Sequence, residues 1–329
     1  MKAYLCNEYG SPAMLELAQV ETDQVGDRQV RIETHFIGVN FADVMAIAGV
    51  HQFPPPKPFS PGFEASGIIR EIGTEVTHLA VGDRVMFTDG YGAYREEIVA
   101  SQDHVFKIPD TLTLAQAAAL PVAFGTPYFA LTRRAPLSHG DHLLVVGAAG
   151  NIGSSAVQIG KLLGARVIAI VGTNDVEKAK ALGADLVIDY RSEDIAERIS
   201  SETDGRGVDV AFDPVIGPDF DKVKDSIAAE GSLLVMGLAG GDLARLPSIG
   251  VLEPLQRNIS FLSADFDYYL HEDIAAVHKA FETMMAWIER GWIKPITPTE
   301  TPFEDGVSVL TGLAEKTLRG KQALRTAKA

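Results

Sequence analysis

The chain has 329 residues, 46% of them apolar, a formal net charge of −15 and one cysteine, Cys6. That length suits two domains, each with its own core, the acidic balance argues against nucleic acid as a partner, and one cysteine excludes an internal disulfide and a cysteine-built metal site. No apolar run approaches the roughly eighteen residues of a membrane span, and residues 1–8 carry no apolar export segment, so no membrane partner and a reducing, cytoplasmic setting are expected.

Residues 1–110 read as a β-rich domain. Alternation in 30–36 (VRIETHF) predicts a half-buried strand, with more strands at 65–72, 84–87, 92–100 and 105–108. Residues 40–49 (NFADVMAIAG) predict a short helix. Proline-rich 51–61 predicts an ordered loop with φ fixed by its prolines. Helices are expected over 111–120, capped by Thr113, and over 121–134, with a break and restart at Gly125-Thr126-Pro127.

The apolar run 143–146 predicts a strand buried on both faces. Gly147, Gly150 and Gly153 follow at three-residue spacing, then a helix over 154–163 and a second buried strand over 166–171. This order is a βαβ unit of the dinucleotide-binding kind. Its glycines permit a tight turn, backbone approach to a pyrophosphate and close packing of helix on strand. The helix start presents N–H groups to phosphate. Further helices (175–182, 195–203, 220–229) alternate with strands (186–188, 208–212, 232–236, 259–262), which predicts a doubly wound parallel sheet. A long helix over 274–290, a segment 296–302 and a helix near 307–318 return to the first domain. The basic residues Lys316, Arg319, Lys321, Arg325 and Lys328 read as a solvated face or tail.

Seven stretches together resemble the zinc-free quinone oxidoreductase branch of the medium-chain dehydrogenase/reductase superfamily. They are GVNFAD (38–43), PGFEASG (61–67), VGDRV (81–85), LPVAFGT (120–126), GAAGNIG (147–153), LGAD (182–185) and VIDYR (187–191), in the family's order. The resemblance implies an α/β protein. A GroES-like β-rich catalytic domain (1–122 and 263–329) would carry an inserted Rossmann domain with a doubly wound parallel sheet (123–262). It also implies NADPH and a homodimer joined through Rossmann edge strands. In the superfamily's zinc alcohol dehydrogenases, Cys and His ligands stand where this sequence aligns Asn40 and Phe63, and the four-cysteine lobe is missing here. No metal is therefore expected. His35, His51, His78, His104, His139 and His142 are scattered, and their spacing suggests no histidine site.

What remains is hydride transfer by positioning a nicotinamide against an acceptor. By resemblance, Asn40, Asp43 and Thr126 lie at the nicotinamide end, with Asn40 and Thr126 as candidate catalytic and cofactor-binding residues. Each has a plainer reading: Asn40 as a loop cap, Thr126 as a helix N-cap, Asp43 as a structural carboxylate. His51 stands where relatives often carry Tyr. It reads either as a surface-loop imidazole or as a proton donor to the reduced carbonyl. Tyr91 and Phe266 are candidates for an aromatic wall.

The expected cofactor-binding residues are Ala149, Gly150, Asn151 and Ile152 at the glycine turn, Gly172, Thr173 and Asn174 after the second strand, and Tyr190, Val215, Gly237, Leu238 and Lys321. Lys321 reads alternatively as a surface lysine. No acid ends the second Rossmann strand, and Tyr190-Arg191 match a family pair whose Tyr contacts the 2′-phosphate, which favours NADPH over NADH. Asp175 opposes this unless it caps the following helix. The expected function is NADPH-dependent, metal-free reduction of a small electrophilic acceptor, a quinone or other α,β-unsaturated carbonyl. An enoyl thioester reductase and a non-catalytic cofactor-binding scaffold are the alternatives.

Overall fold

The computed structural model describes residues 1–237 and 247–329. It opens with an antiparallel hairpin, β1 (Lys2–Leu5) and β2 (Glu16–Gln19), for which the sequence pattern is too short to signal. The alternation at 30–36 lies inside β3 (Gln29–Val39), and α1 (Phe41–Ala48) follows, ended by Gly49 at φ 73°. Next come β4 (Glu64–Ile72), β5 (Arg84–Thr88), β6 (Glu97–Ser101) and β7 (Val105–Lys107). The strand expected over 92–100 is shortened because Gly92, Ala93 and Tyr94 donate backbone N–H groups to Ser60, Gly62 and Pro61. Those bonds also hold the end of the proline-rich loop. Thr113 and Gln116 form a capping box at the start of α2 (Leu114–Ala118).

Helix α3 (Pro121–Phe129) runs unbroken through Gly125-Thr126-Pro127 and passes into a π-helical turn, Ala130–Arg134. The expected restart is therefore absent, and Thr126 lies inside a helix rather than at its N-cap. The parallel sheet then follows: β8 (His142–Val146), α4 (Asn151–Leu162), β9 (Arg166–Val171), α5 (Val176–Ala181), β10 (Leu186–Asp189), α6 (Ile195–Glu202), β11 (Val208–Asp213), α7 (Phe220–Asp225), β12 (Ile227–Val235), α8 (Leu252–Arg257) and β13 (Ser260–Leu262). The strands are ordered β10-β9-β8-β11-β12-β13, all parallel. The order reverses between β8 and β11, the switch point at which such sheets take ligands. Residues 227–229, expected as helix, are strand. Val208 pairs with Ile227 but Val210 pairs with Ser232, and this bulge, with Glu230 at φ 65°, breaks the apparent helical period.

The chain returns through α9 (Phe266–Glu272), α10 (Ile274–Glu289), β14 (Thr299–Pro302), α11 (Gly306–Ala314) and β15 (Gln322–Arg325). The basic C-terminal stretch is not a tail. β15 lies between β14 and β3 in a seven-stranded sheet, and Ala323 and Leu324 have no exposed surface. The chain thus forms two units, Met1–Val122 with Asp267–Ala329, and Ala123–Phe266. The first has a core around Tyr4, Ile32, Ile69, Tyr94, Phe303 and Leu324, the second around Leu144, Ile168, Ile188, Phe220 and Leu233. None of the described helices is long and apolar enough to cross a membrane.

Candidate functional site

At the C-terminal ends of β8 and β11 the parallel-sheet unit holds a cavity of about 520 Å³. Gly147 turns off β8 at φ 63°, where a side chain would be strained. A Cβ on Gly153 would sit 2.2 Å from the Gly147 carbonyl oxygen, so only glycine lets α4 begin this close to the strand. That close approach explains why α4 starts at Asn151, three residues before the expected position. Its first helical bond runs from Ser154 N to Gly150 O, 2.9 Å. The N–H groups of Asn151, Ile152 and Gly153 are left without helical acceptors, and no acidic residue stands in the first turn. A phosphate fits this helix end.

Of the expected cofactor residues, Ala149, Gly150, Gly172, Tyr190 and Val215 line the cavity. Asn151 and Ile152 begin the helix beside them. Thr173 hydrogen-bonds Asp189 and holds that carboxyl below its ordinary range, helped by the Arg191 backbone N–H and the Ser192 hydroxyl. Asn174 is exposed in the same turn. The Tyr190 ring lies over Gly172 with Arg191 beside it. Arg191 makes no ion pair among the described residues. Val215 is seated by Asp213, whose Oδ1 accepts from the N–H groups of Val215 and Ile216 at 2.9 Å. Gly237 follows β12 at φ 81°, and Leu238 lies outside the described residues. Asp175 lines the cavity without making a side-chain cap for α5. The capping role that would have turned its charge away is thus not observed. Lys178 donates to the Ala149 carbonyl at 2.7 Å.

The other unit holds a buried polar network. Glu64, with no exposed surface, accepts from Lys321 Nζ (2.5 Å) and Asn40 Nδ2 (2.9 Å) on Oε1, and from Val122 N–H (2.8 Å) on Oε2. Asn40 Oδ1 accepts a second bond from Lys321, 2.6 Å. Lys321 is therefore not a surface lysine, and its ammonium is held by Glu64 and Asn40. Asn40 also precedes α1, where its backbone N–H donates to Asp43 Oδ2 at 2.7 Å. Tyr94 donates to the same oxygen at 3.0 Å, while Asp43 Oδ1 is buried without a hydrogen bond. Sequence reasoning missed Glu64 and Tyr94, because each acts through partners distant in the chain.

His51 is buried as well, not a surface-loop residue. Its ring packs on Phe63 with centroids 5.2 Å apart, and Nδ1 meets the backbone of Phe53 at 3.3 Å. Nε2 has no partner among the described residues. Asn40 and His51 flank opposite ends of the eight-residue α1, so that helix does not bring them together. Thr126 is buried within α3 of the parallel-sheet unit, and Phe266 packs in that unit on Gly125 and Phe129 rather than forming an open wall. Tyr91 is half-exposed, edge-on to Phe59.

Burial raises the Asp43 carboxyl from 3.8 to about 7, against the opposing effects of the Asn40 N–H, Lys321 and Tyr94. A raised folded-state value favours the protonated fold, so this contribution is full below pH ~4 and is lost as pH rises to about 7. Asp43→Asn removes it. Urea unfolding of the variant should therefore gain on the native protein between pH 4 and pH 7, by on the order of 4 kcal/mol, and run parallel above. Parallel curves throughout would mean that Asp43 is ionised over the whole range.

Residues 26–110 match the alcohol dehydrogenase GroES-like domain family and residues 151–289 the zinc-binding dehydrogenase family. The chain is 36% identical over 298 residues to quinone oxidoreductase-like protein 2 of Mus musculus, covering 90% of this chain and 84% of that one. Quinone oxidoreductase of Pseudomonas syringae pv. tomato has a similar structure, with a TM-score of 0.89 at 28% identity over 98% of this chain and 99% of that one. Escherichia coli quinone oxidoreductase, solved in complex with NADPH, gives a TM-score of 0.88 at 25% identity over 99% and 100%. With its β-rich GroES-like unit, its parallel Rossmann sheet and this degree of identity, the chain is an oxidoreductase and belongs to the quinone oxidoreductase branch of the medium-chain dehydrogenase/reductase superfamily.

Proposed function

We propose that this protein reduces quinones or other α,β-unsaturated carbonyls with NADPH, with no metal at the reacting carbonyl. The observation that carries the reading is the cavity at the β8/β11 switch, with bare N–H groups on one element and the Tyr190-Arg191 pair on another. The NADPH complex of the Escherichia coli relative supports it. When bound, the dinucleotide supplies the hydride. The N–H groups of Asn151, Ile152 and Gly153 hold the pyrophosphate, and Tyr190 and Arg191 hold the 2′-phosphate. Val215, Gly172 and Gly237 shape the rest of the site, and Asn40 and Thr126 serve the nicotinamide end. Lys321 acts through Asn40, whose amide it fixes.

The metal-free reading rests on donor chemistry. Phe63 offers no ligand atom, and the Asn40 oxygen already accepts from a buried ammonium, which would repel a cation. Hydride and a proton together turn a quinone into a hydroquinone, or an enone into a saturated ketone. Buried, with Nε2 unpartnered among the described residues, His51 is a source for that proton. A homodimer in the cytoplasm is part of the same reading. β13 ends the parallel sheet among the described residues, and Val251, Leu252 and Leu255, just before it in the chain, are 90%, 62% and 79% exposed, apolar side chains of the kind that mark an interaction surface when clustered.

Oxidation of NADPH and NADH by the purified protein, with a simple quinone, an enone and a short enoyl thioester, tests the activity. Turnover of quinone or enone with NADPH is expected, and turnover only with the thioester would replace the acceptor class. In the same assay, Arg191→Gln should reduce the NADPH-to-NADH preference at least about tenfold, and an unchanged preference would remove the 2′-phosphate assignment. His51→Phe should lower kcat and change its profile over pH 6–8, whereas unchanged kcat and KM would leave water as the donor. Leu255→Lys should convert a dimer to a monomer in light scattering, and a monomeric native protein would dismiss the interface.

A further inference from the structure

Apart from the network around Asn40, the unit of β3 to β7 gathers metal-ligating side chains from three places in the sequence. Asp89 follows β5, His104 closes the turn before β7, and Asp267 and His271 lie one turn apart on the same face of α9. One ligand atom from each of Asp89, His104 and His271 lies within 4.8 Å of the others. His104 Nδ1 is 2.8 Å from Asp89 Oδ2, and His271 Nε2 is 3.9 Å from Asp89 Oδ1 and 3.5 Å from Asp267 Oδ1. The two imidazoles stand edge to face, 5.9 Å between centroids.

We propose that Asp89, His104 and His271 form a binding site for a divalent transition metal of the Zn²⁺ type. Two imidazoles and a carboxylate suit Zn²⁺, whereas Mg²⁺ and Ca²⁺ require oxygen donors throughout. A tetrahedral ion at about 2.0–2.2 Å from each ligand needs donors roughly 3.4 Å apart. The observed separations bracket that value, so the 2.8 Å contact of His104 opens and the 3.9 Å contact of His271 closes when an ion enters. His271 supplies the closing rotation, since its side chain is 51% exposed, while His104 is 16% exposed and is gripped by Asp89 and by a hydrogen bond to the Leu270 backbone. Such a second-sphere bond orients a ligating imidazole. Asp267, 11% exposed, faces the same nitrogen of His271, Nε2, at 3.5 Å and adds negative charge next to the site. The exposed side leaves a coordination position to water. The site shares no residue with Asn40 or Phe63, and it would clip the segment 267–272 to the strands β5 and β7.

The test uses untagged full-length protein, stripped with chelator and dialysed. Zn²⁺ uptake is read by competition with a chromophoric chelator, and Co²⁺ is used as a spectroscopic probe. Expected are one equivalent of Zn²⁺, visible d–d absorption with Co²⁺, and a rise in the thermal midpoint with Zn²⁺ but not with Mg²⁺. His271→Ala and Asp89→Asn should each weaken binding at least about tenfold and abolish the thermal shift. His139→Ala, at an exposed position of the parallel-sheet unit, should change neither. Because His271 is half-exposed, its variant should fold, which circular dichroism checks. Uptake well below one equivalent, or equal affinity in His271→Ala, would overturn the proposal and leave the three groups as a hydrogen-bonded cluster.

Discussion

A carboxylate sealed from water constrains much of this molecule. Glu64 has no exposed surface, and its charge is met by Lys321, by the Asn40 amide and by the Val122 N–H. A buried ion pair adds little net stability over an apolar replacement, but leaving one partner alone costs about 3–5 kcal/mol. The interaction therefore specifies more than it stabilises. It ties together the turn into α1, the point where the chain leaves the first unit, and the strand that completes the sheet. The constraint reaches position 38, where a Cβ would lie 2.4 Å from Glu64 Oε1 and 2.0 Å from the Ala118 carbonyl oxygen. Asp43 is the cost of this arrangement, a second acid buried near the first without full pairing.

The two units differ in how their sites are made. The proposed nucleotide cradle lies wholly in the parallel-sheet unit, and backbone N–H donors set by glycines and a helix start make up much of it, with the Tyr190-Arg191 pair added. The other unit assembles side chains from residues 40, 64, 94 and 321, with the topology alone bringing them together. A backbone site tolerates changes in neighbouring side chains. A side-chain site of this kind fails as a group when one member is lost.

That difference decides what the sequence makes legible. The βαβ unit is readable because apolar runs and glycine spacing are local signals, and the parallel sheet follows from their alternation. β15 is not readable in this way. Four residues, Gln-Ala-Leu-Arg, are too few to establish a period, and their burial comes from β3 and β14. Lys321 looks like a surface lysine because its partner Glu64 stands 257 positions away. Pro127 reads as a break, yet α3 carries it inside the helix before widening into a π-turn. Asp175 reads as a cap by residue type, and the turn that precedes α5 directs it to the cavity instead. His271 and His104 meet only in the folded chain, so no spacing rule could pair them.

The position of β15 has a consequence for how the protein is made. Synthesis runs from the N-terminus, so β3 and Glu64 exist well before Gln322 and Lys321 do. The inserted unit, Ala123–Phe266, is complete in one uninterrupted stretch and can close its own sheet as it emerges. Meanwhile the Phe36–Val39 part of β3 must wait with one edge open, and Glu64 without its lysine, until the last strand arrives. The nascent chain thus carries a finished nucleotide-binding unit and an unfinished sheet through the synthesis of Asp267–Ala329, roughly sixty residues. Its exposure to misassembly and to chaperones is concentrated in that interval.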